Sequence, residues 1–488
     1  MANGSHPRYA TAPGRMPAGA GQAFAPPRGG ARRGSVARRV SDVWRTTPGA
    51  IWTFLQREPA SFWFLNLYMF IEYVRPQMVY TSIDVLPWGQ TFLLLTIAAA
   101  LSEGKLARFP TVISGLLGFY TLVLVASSFT AFSTSAAFAS YSVYINWLLV
   151  FVLIVNVVTT ERRFFVFMLA FLLYSFKMSQ HGARSWAETG FGFRDWGATG
   201  GPGWFHNSGE FGIQMCVFFP LALGFVIAMW KHWGKWQRLF FLSFPVTAVM
   251  SMIASSSRGA LVGGALTLAW MVARSKHRFK VLIPAALAVA LVIAVIPPEQ
   301  KARFESAGED ETSTLRITYW KDGLEIAANH PVLGIGYGNW LPYYKTYYNP
   351  AGQLPHNIFI EAVAEMGYTG LFAFVLLIGA TFVVNFKTRK VLKALPGDNA
   401  FLTQMAHGLD GALLGFLGSG FFVTVLYYPF FWINLAMTAA LYVCAENKAR
   451  EMRAAGPGAA PSRQAEPAQV HAPRPMGRGG YYRQGSVA

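Results

Sequence analysis

The chain has 488 residues, of which 53% are hydrophobic, 15% aromatic and only 13% charged. That balance excludes an ordinary soluble fold, which would aggregate at this size, and describes a polytopic membrane protein. Net charge is +18, but the excess sits mainly in short loops and tails, which argues against nucleic acid as a partner and for attraction to anionic membrane lipid.

Residues 1–60 are polar and rich in Arg, Gly and Pro, with no early apolar run. They are expected to form a disordered basic tail, with the first spanning helix serving as its own insertion signal. Apolar runs of spanning length follow at roughly 61–74, 88–102, 111–130, 141–158, 164–179, 211–230, 238–254, 259–273, 279–296, 357–385, 400–425 and 427–444. Nine of them fill 61–296, a long segment at 297–356 lies outside the bilayer, three more fall within 357–445, and 446–488 is a second disordered basic tail. The expected fold class is an all-α polytopic integral membrane protein of about twelve transmembrane helices, with one long external loop containing short helices. The first, second and eighth runs are the short ones. Cys216 and Cys444 both fall inside spans, so no disulfide is expected.

Orientation follows from Lys and Arg in alternate short loops, because the side with the excess stays cytoplasmic. One set carries Lys105, Arg108, Arg162, Arg163, Lys231, Lys235, Arg238, Arg274, Lys276, Arg278, Lys280, Lys387, Arg389, Lys390 and Lys393. The opposite short loops carry only Arg75, Arg184, Arg194 and Arg258. With both basic termini cytoplasmic, twelve spans put 297–356 on the external face.

That external segment is where chemistry has room, and it ends in Leu354-Pro355-His356-Asn357 at the mouth of the next span. An imidazole titrates near neutral pH and can take the proton from an attacking hydroxyl. Asn357 is placed to cap the following helix, whose N-terminus favours anions. Arg258 lies in Ser255-Ser256-Ser257-Arg258-Gly259-Ala260, a turn so short that its guanidinium must stay near the membrane surface. A snorkelling anchor is the structural alternative; a bidentate phosphate partner is the functional one, favoured because an external Arg runs against the orientation bias. Arg316 lies in Thr314-Leu315-Arg316-Ile317-Thr318-Tyr319-Trp320. At helical period Leu315, Tyr319 and Ile326 share one face while Arg316, Trp320 and Lys321 lie to another, as in a helix on the membrane surface.

The string Gly334-Ile335-Gly336-Tyr337-Gly338 lacks the strand before and helix after that a dinucleotide site requires, so a tight turn at positive φ is expected. Tyr337 and the aromatic run from Trp340 to Tyr348 offer stacking surfaces for sugar rings, or equally a membrane-interface belt. Arg184, Arg194, His206 and Glu210, in an expected 181–210 loop, make a candidate second wall. No His-Glu-x-x-His or Asp-x-Asp pattern occurs, and Glu309-Asp310-Glu311 reads as a solvated turn, so neither a metal nor another cofactor is expected. Nothing presents a nucleophile elbow for a Ser/His/Asp triad.

Taken together, Ser257-Arg258-Gly259, then Leu315-Arg316 upstream of His330-Pro331-Val332-Leu333-Gly334-Ile335-Gly336, then His356-Asn357 followed by Gly367 and Gly370, resemble the O-antigen ligase/polymerase superfamily of bacterial envelope glycosyltransferases. The resemblance covers roughly 90–445 and is most specific over 250–372. It implies transfer of a glycan from an undecaprenyl-diphosphate carrier to an acceptor hydroxyl at the periplasmic face of the inner membrane. His356 would activate the acceptor, while Arg258 and Arg316 would hold the diphosphate. Diphosphate is already a good leaving group, so this scheme requires no metal. The acceptor is lipid A–core in a ligase, another glycan chain in a surface-polysaccharide or exopolysaccharide polymerase, and a protein side chain in an oligosaccharyltransferase; the sequence does not choose. A flippase for lipid-linked sugars is the competing class. It would need mid-membrane charges, for which Lys177, Glu361 and Glu365 are the candidates, and repeated halves, of which none is evident.

Overall fold

The structure, a computed structural model, describes residues 42–106, 109, 111–192, 197–275, 278–295 and 311–455, and every regular element among them is helical. A short helix α1 (Pro48–Leu55) leads into α2 (Ala60–Val74), α3 (Pro76–Val79) and α4 (Trp88–Ser102). Next come α5 (Val112–Phe129), α6 (Thr134–Val157), α7 (Glu161–Glu188), α8 (Ser208–Met229), α9 (Lys235–Ala254), α10 (Arg258–Arg274) and α11 (Arg278–Val295). The segment expected to be external holds α12 (Glu311–Asn329) and α13 (Trp340–Tyr347), and α14 (Ile358–Ala394), α15 (Ala400–Gly420) and α16 (Pro429–Ala455) follow.

Each of the twelve apolar runs overlaps a helix, but only seven helices among the described residues, α5 to α9, α14 and α16, are long and apolar enough to cross a bilayer, fewer than the twelve expected. At 1.5 Å per residue, α2 and α4, with 15 residues each, are shorter than a hydrocarbon core of roughly 30 Å. Both expected tails begin further out than the composition suggests. Residues 42–45 and 48–55 are helical, with Trp44 edge-on to Phe165 at 4.8 Å between centroids, and α16 continues to Ala455, with Lys448 on it paired to Glu161 at 2.8 Å. The remaining tail residues lie outside the described ones. Lys177 is exposed on α7 rather than buried. Lys387 to Lys393 are not loop residues but the last turns of α14, from which Arg389 reaches the wholly buried Asp410 of α15 at 2.6 Å. Cys216 and Cys444 are buried and free.

The nearly enclosed α8 packs against α9, α10 and α15. Small residues set how closely α10 and α15 approach: a Cβ on Gly263 would fall 2.5 Å from the Gly415 carbonyl oxygen. On the other side α14 packs against α5, α16 and the external α12.

The external segment is attached to the bundle through a break in α14. Gly367 sits at φ 67°, ψ −172°, a region essentially restricted to glycine. The freed carbonyls of Ala364 and Glu365 accept from Ile335 N (3.0 Å) and Gly336 N (2.9 Å), and Tyr368 N donates to the Pro331 oxygen at 2.8 Å. The Glu365 carboxylate accepts from Gly338 N (3.0 Å), Trp340 N (3.1 Å) and the Tyr427 hydroxyl (3.0 Å). The glycine string is the expected tight turn, with Gly334, Gly336 and Gly338 at φ 65°, 102° and 69°. Under it, Tyr319, Ile326, Ile335, Trp340, Tyr344, Ile360 and Ala364 form a separate small core. Leu315 does not join that face; it is 43% exposed, while Tyr319 and Ile326 are buried.

Gly367→Ala would place a Cβ 2.5 Å from the Val332 carbonyl at a conformation costing on the order of 1–3 kcal/mol for any other residue. A lower melting temperature in detergent is expected, with faster proteolytic cutting between residues 311 and 356. Parental behaviour in both measurements would show that the break does not hold the loop.

Candidate active site

His356 occupies the left-handed region, φ 50°, which is uncommon for a residue with a side chain. Two hydrogen bonds from different elements hold its leading peptide. The Pro355 oxygen accepts from Trp320 Nε1 of α12 at 3.0 Å, and His356 N donates to Thr424 Oγ1 at 2.8 Å. Asn357 then caps α14 as its sequence position suggests, Oδ1 accepting from Phe359 N at 2.8 Å and Ile360 N at 3.2 Å. The helix start is thereby fixed, and the imidazole is left half-buried at its mouth.

Arg316 lies one turn before Trp320 on α12, close enough to act on the His356 ring. Burial first, and the Arg316 guanidinium second, push the His356 pKa down to about 4. The imidazole is therefore neutral at physiological pH, with a lone pair able to accept a proton. Arg258 opens α10 behind the N-cap Ser257, whose Oγ accepts from Ala260 N at 3.3 Å. Its Nη1 donates to Ser313 Oγ at 3.1 Å, three residues before Arg316. α12 thus meets Arg258 through Ser313 and the His356 peptide through Trp320, and carries Arg316 between them. Two guanidinium groups beside helix N-termini can hold an anion, and a neutral imidazole beside them can take a proton.

The remaining candidates divide. Arg184 is not in a loop but exposed on the last turns of α7, and Arg194 lies outside the described residues. His206 is 66% exposed and Glu210 10% by side chain, with Nδ1 of the first 3.5 Å from Oε2 of the second. Glu210 also accepts from the Tyr428 hydroxyl at 3.0 Å. Tyr337 and Trp340 are 1% exposed: the first donates to the Ser140 oxygen at 2.9 Å and the second to the Gln353 oxygen at 2.8 Å. Trp340, Tyr344 and Tyr348 stack on one another, so the exposed ring of the run is Tyr347. Glu361 and Glu365 are buried as expected of charge inside a span, but Glu365 is engaged in holding the loop.

Sequence reasoning missed the strap from Phe421 to Tyr428, between α15 and α16. Phe421 is edge-on to Trp320 at 5.1 Å between centroids, Thr424 holds His356, Tyr427 reaches Glu365 and Tyr428 reaches Glu210. The run has no charge to interrupt its hydropathy; only Pro429, a residue suited to the first turn of a helix, marks where α16 must start.

A family model described as O-antigen ligase matches residues 239–375. Over this stretch the chain is similar to the O-antigen ligase/polymerase superfamily. The O-antigen-ligase-like stretch runs from α9 into α14 and contains Arg258, Arg316 and His356, but not Arg184, Arg194, His206, Glu210 or the strap. No curated protein matches the chain. The similarity supports an O-antigen ligase or polymerase family function, acting in general on lipid-linked glycans and their acceptors.

The lowered His356 pKa has a definite sign in pH dependence. Between about 6.5, where the unfolded imidazole takes its proton, and about 4, where the folded one does, the unfolded chain binds more protons. This group therefore lowers stability as pH falls through that window and contributes nothing above it. Arg316→Ala removes the second cause and leaves burial, so His356 should titrate at higher pH than in the parent yet below 6.5. Selective histidine labelling and NMR would read this. An unchanged titration would mean that Arg316 does not face the ring.

Proposed function

We propose that this protein is an O-antigen-ligase-like glycosyltransferase of the bacterial inner membrane. In this reading it moves a glycan from an undecaprenyl-diphosphate carrier to an acceptor hydroxyl at the periplasmic face, in cell-envelope polysaccharide biosynthesis. The observation that carries the reading is the gathering of Arg258, Arg316 and His356 around one external helix, inside the stretch similar to O-antigen ligases. Both termini are cytoplasmic in this reading, and 297–356 is the periplasmic segment that completes the site.

The acceptor O–H gives its proton to the neutral His356 ring as its oxygen bonds to the anomeric carbon. The bond from that carbon to the diphosphate oxygen breaks, and the carrier diphosphate leaves with the electron pair. Arg258 and Arg316 hold the diphosphate and offset the charge that grows on it. Placing the dianionic group on Arg316 also weakens the Coulomb effect that depresses His356, so donor binding raises the basicity of the group that must take the proton. The diphosphate needs no further activation as a leaving group, which makes a metal unnecessary in this scheme. His206 and Glu210, on the far side of the strap, and the exposed Arg184 are candidates for contacts to the glycan.

General-base assistance is worth ~10²–10⁴-fold, and one electrostatic donor on the order of 10²–10³ in kcat. In proteoliposomes supplied with undecaprenyl-diphosphate glycans, His356→Ala should lose activity within the first range, and Arg258→Ala and Arg316→Ala within the second. Product on lipid A–core identifies a ligase, and product on a second carrier-linked chain a polymerase. Parental activity in His356→Ala would remove it as the base. Carrier crossing the bilayer with no product from the parent would replace this reading with a flippase.

A further inference from the structure

We propose that Trp320 and Thr424 form a clamp on the Pro355–His356 peptide that sets the imidazole against Arg316, making both of them positioning residues of the site. The inference rests on the reading of His356 as the proton acceptor.

A peptide unit is rigid and planar, so holding its oxygen and its N–H fixes the plane from which the next side chain departs. Here the oxygen is held by Trp320 Nε1 at 3.0 Å and the N–H by Thr424 Oγ1 at 2.8 Å. The two holders come from different elements. Trp320 belongs to α12, the helix that carries Arg316 one turn earlier, and Thr424 belongs to the strap between α15 and α16. The clamp therefore ties the position of Arg316 to that of His356 through one hydrogen bond and one helical turn. Proline at 355 has no N–H of its own to compete, and the left-handed His356 backbone, φ 50°, is a conformation that surrounding contacts have to maintain. The Trp320 ring is itself set by Phe421, edge-on at 5.1 Å, three residues before Thr424. The strap thus supports both jaws.

Thr424→Val keeps the branched shape and removes the acceptor oxygen, Thr424→Ser keeps the oxygen, and Trp320→Phe keeps a ring against Phe421 without the N–H. In the full-length reconstituted protein, Thr424→Val and Trp320→Phe should each lower kcat by about ten- to a hundredfold with KM for the carrier-linked glycan within about twofold, since small displacements at a reacting group cost that much. Thr424→Ser should restore the parental rate. Diethyl pyrocarbonate modification of His356 at neutral pH, followed by peptide mass spectrometry, gives a readout that needs no substrate. It should be faster in Thr424→Val and Trp320→Phe and parental in Thr424→Ser. A folded Thr424→Val protein with either parental kcat or a parental modification rate overturns the clamp, as does a loss that Thr424→Ser shares. Should Thr424→Val not fold, Trp320→Phe decides by the same two criteria. A parent that forms no product from any carrier-linked glycan sinks the functional reading instead, and the modification rates still decide the clamp.

Discussion

At Gly367 the backbone leaves the helix, and the carbonyls of Ala364 and Glu365, which an unbroken helix would pair with residues 368 and 369, become free to accept from the external loop. The exchange is reciprocal, because the displaced Tyr368 N–H goes to Pro331 of that loop. Buried backbone groups have to be paired, so a broken helix and a glycine turn that complete one another are each incomplete alone. Glu365 doubles the attachment by placing a carboxylate under two loop N–H groups and the Tyr427 hydroxyl. This junction lets a mostly polar external helix sit in one register on an apolar bundle. The reach of Arg316 to His356 depends on that register.

Charge at this end of the bundle is then unevenly distributed. The Glu365 carboxylate is occupied by two N–H groups and the Tyr427 hydroxyl, and one oxygen of Glu210 by the Tyr428 hydroxyl. Arg316 and the N-terminus of α14 place positive potential at a half-buried imidazole, and Arg258 opens α10 against Ser313 of the helix that carries Arg316. Protonation of the His356 ring at the mouth of α14 would add to that potential, and burial with Arg316 beside it keeps the ring neutral. Under the proposed function, an arriving diphosphate would bring negative charge into this field, and the electrostatics selecting that anion and those governing His356 as the base would be one field, before and after the anion arrives.

The sequence made the helices legible because spanning runs are long and uniform, and it made Arg258 legible as a cation in a short loop and His356 as a titratable group at the mouth of a span, whereas Arg316, among the many charges of its segment, stood out through the family resemblance. The Asn357 cap and the glycine turn were legible for local reasons, one a hydrogen bond within three residues, the other a restriction on φ. What could not be read are contacts between distant segments. Trp320 and Thr424 meet on one peptide across 104 residues of chain, and nothing in the composition of either neighbourhood announces the partner. Tyr337 and Trp340 look like stacking platforms by residue type, yet their polar atoms serve interior carbonyls. Arg184 looks like a loop residue because polar side chains end the apolar run before the helix itself ends at Glu188.

The O-antigen-ligase-like stretch and the complete site are not the same set of residues. Residues 239–375 bring the three groups to which the proposed function assigns the chemistry, together with the broken helix that docks the loop. Thr424, Tyr427 and Tyr428 lie beyond it and supply the hydroxyls that hold His356 N, Glu365 and Glu210. Taken by itself the stretch would leave the His356 N–H in its left-handed turn without its acceptor and the Glu365 carboxylate one donor short. The strap meets those needs from a region whose apolar character reads as nothing more than the end of one span and the start of another. The candidate reactive groups and the residues that hold them are thus divided between two parts of the chain, and the precision of the candidate site belongs to the packing of α14, α15 and α16 around their junction.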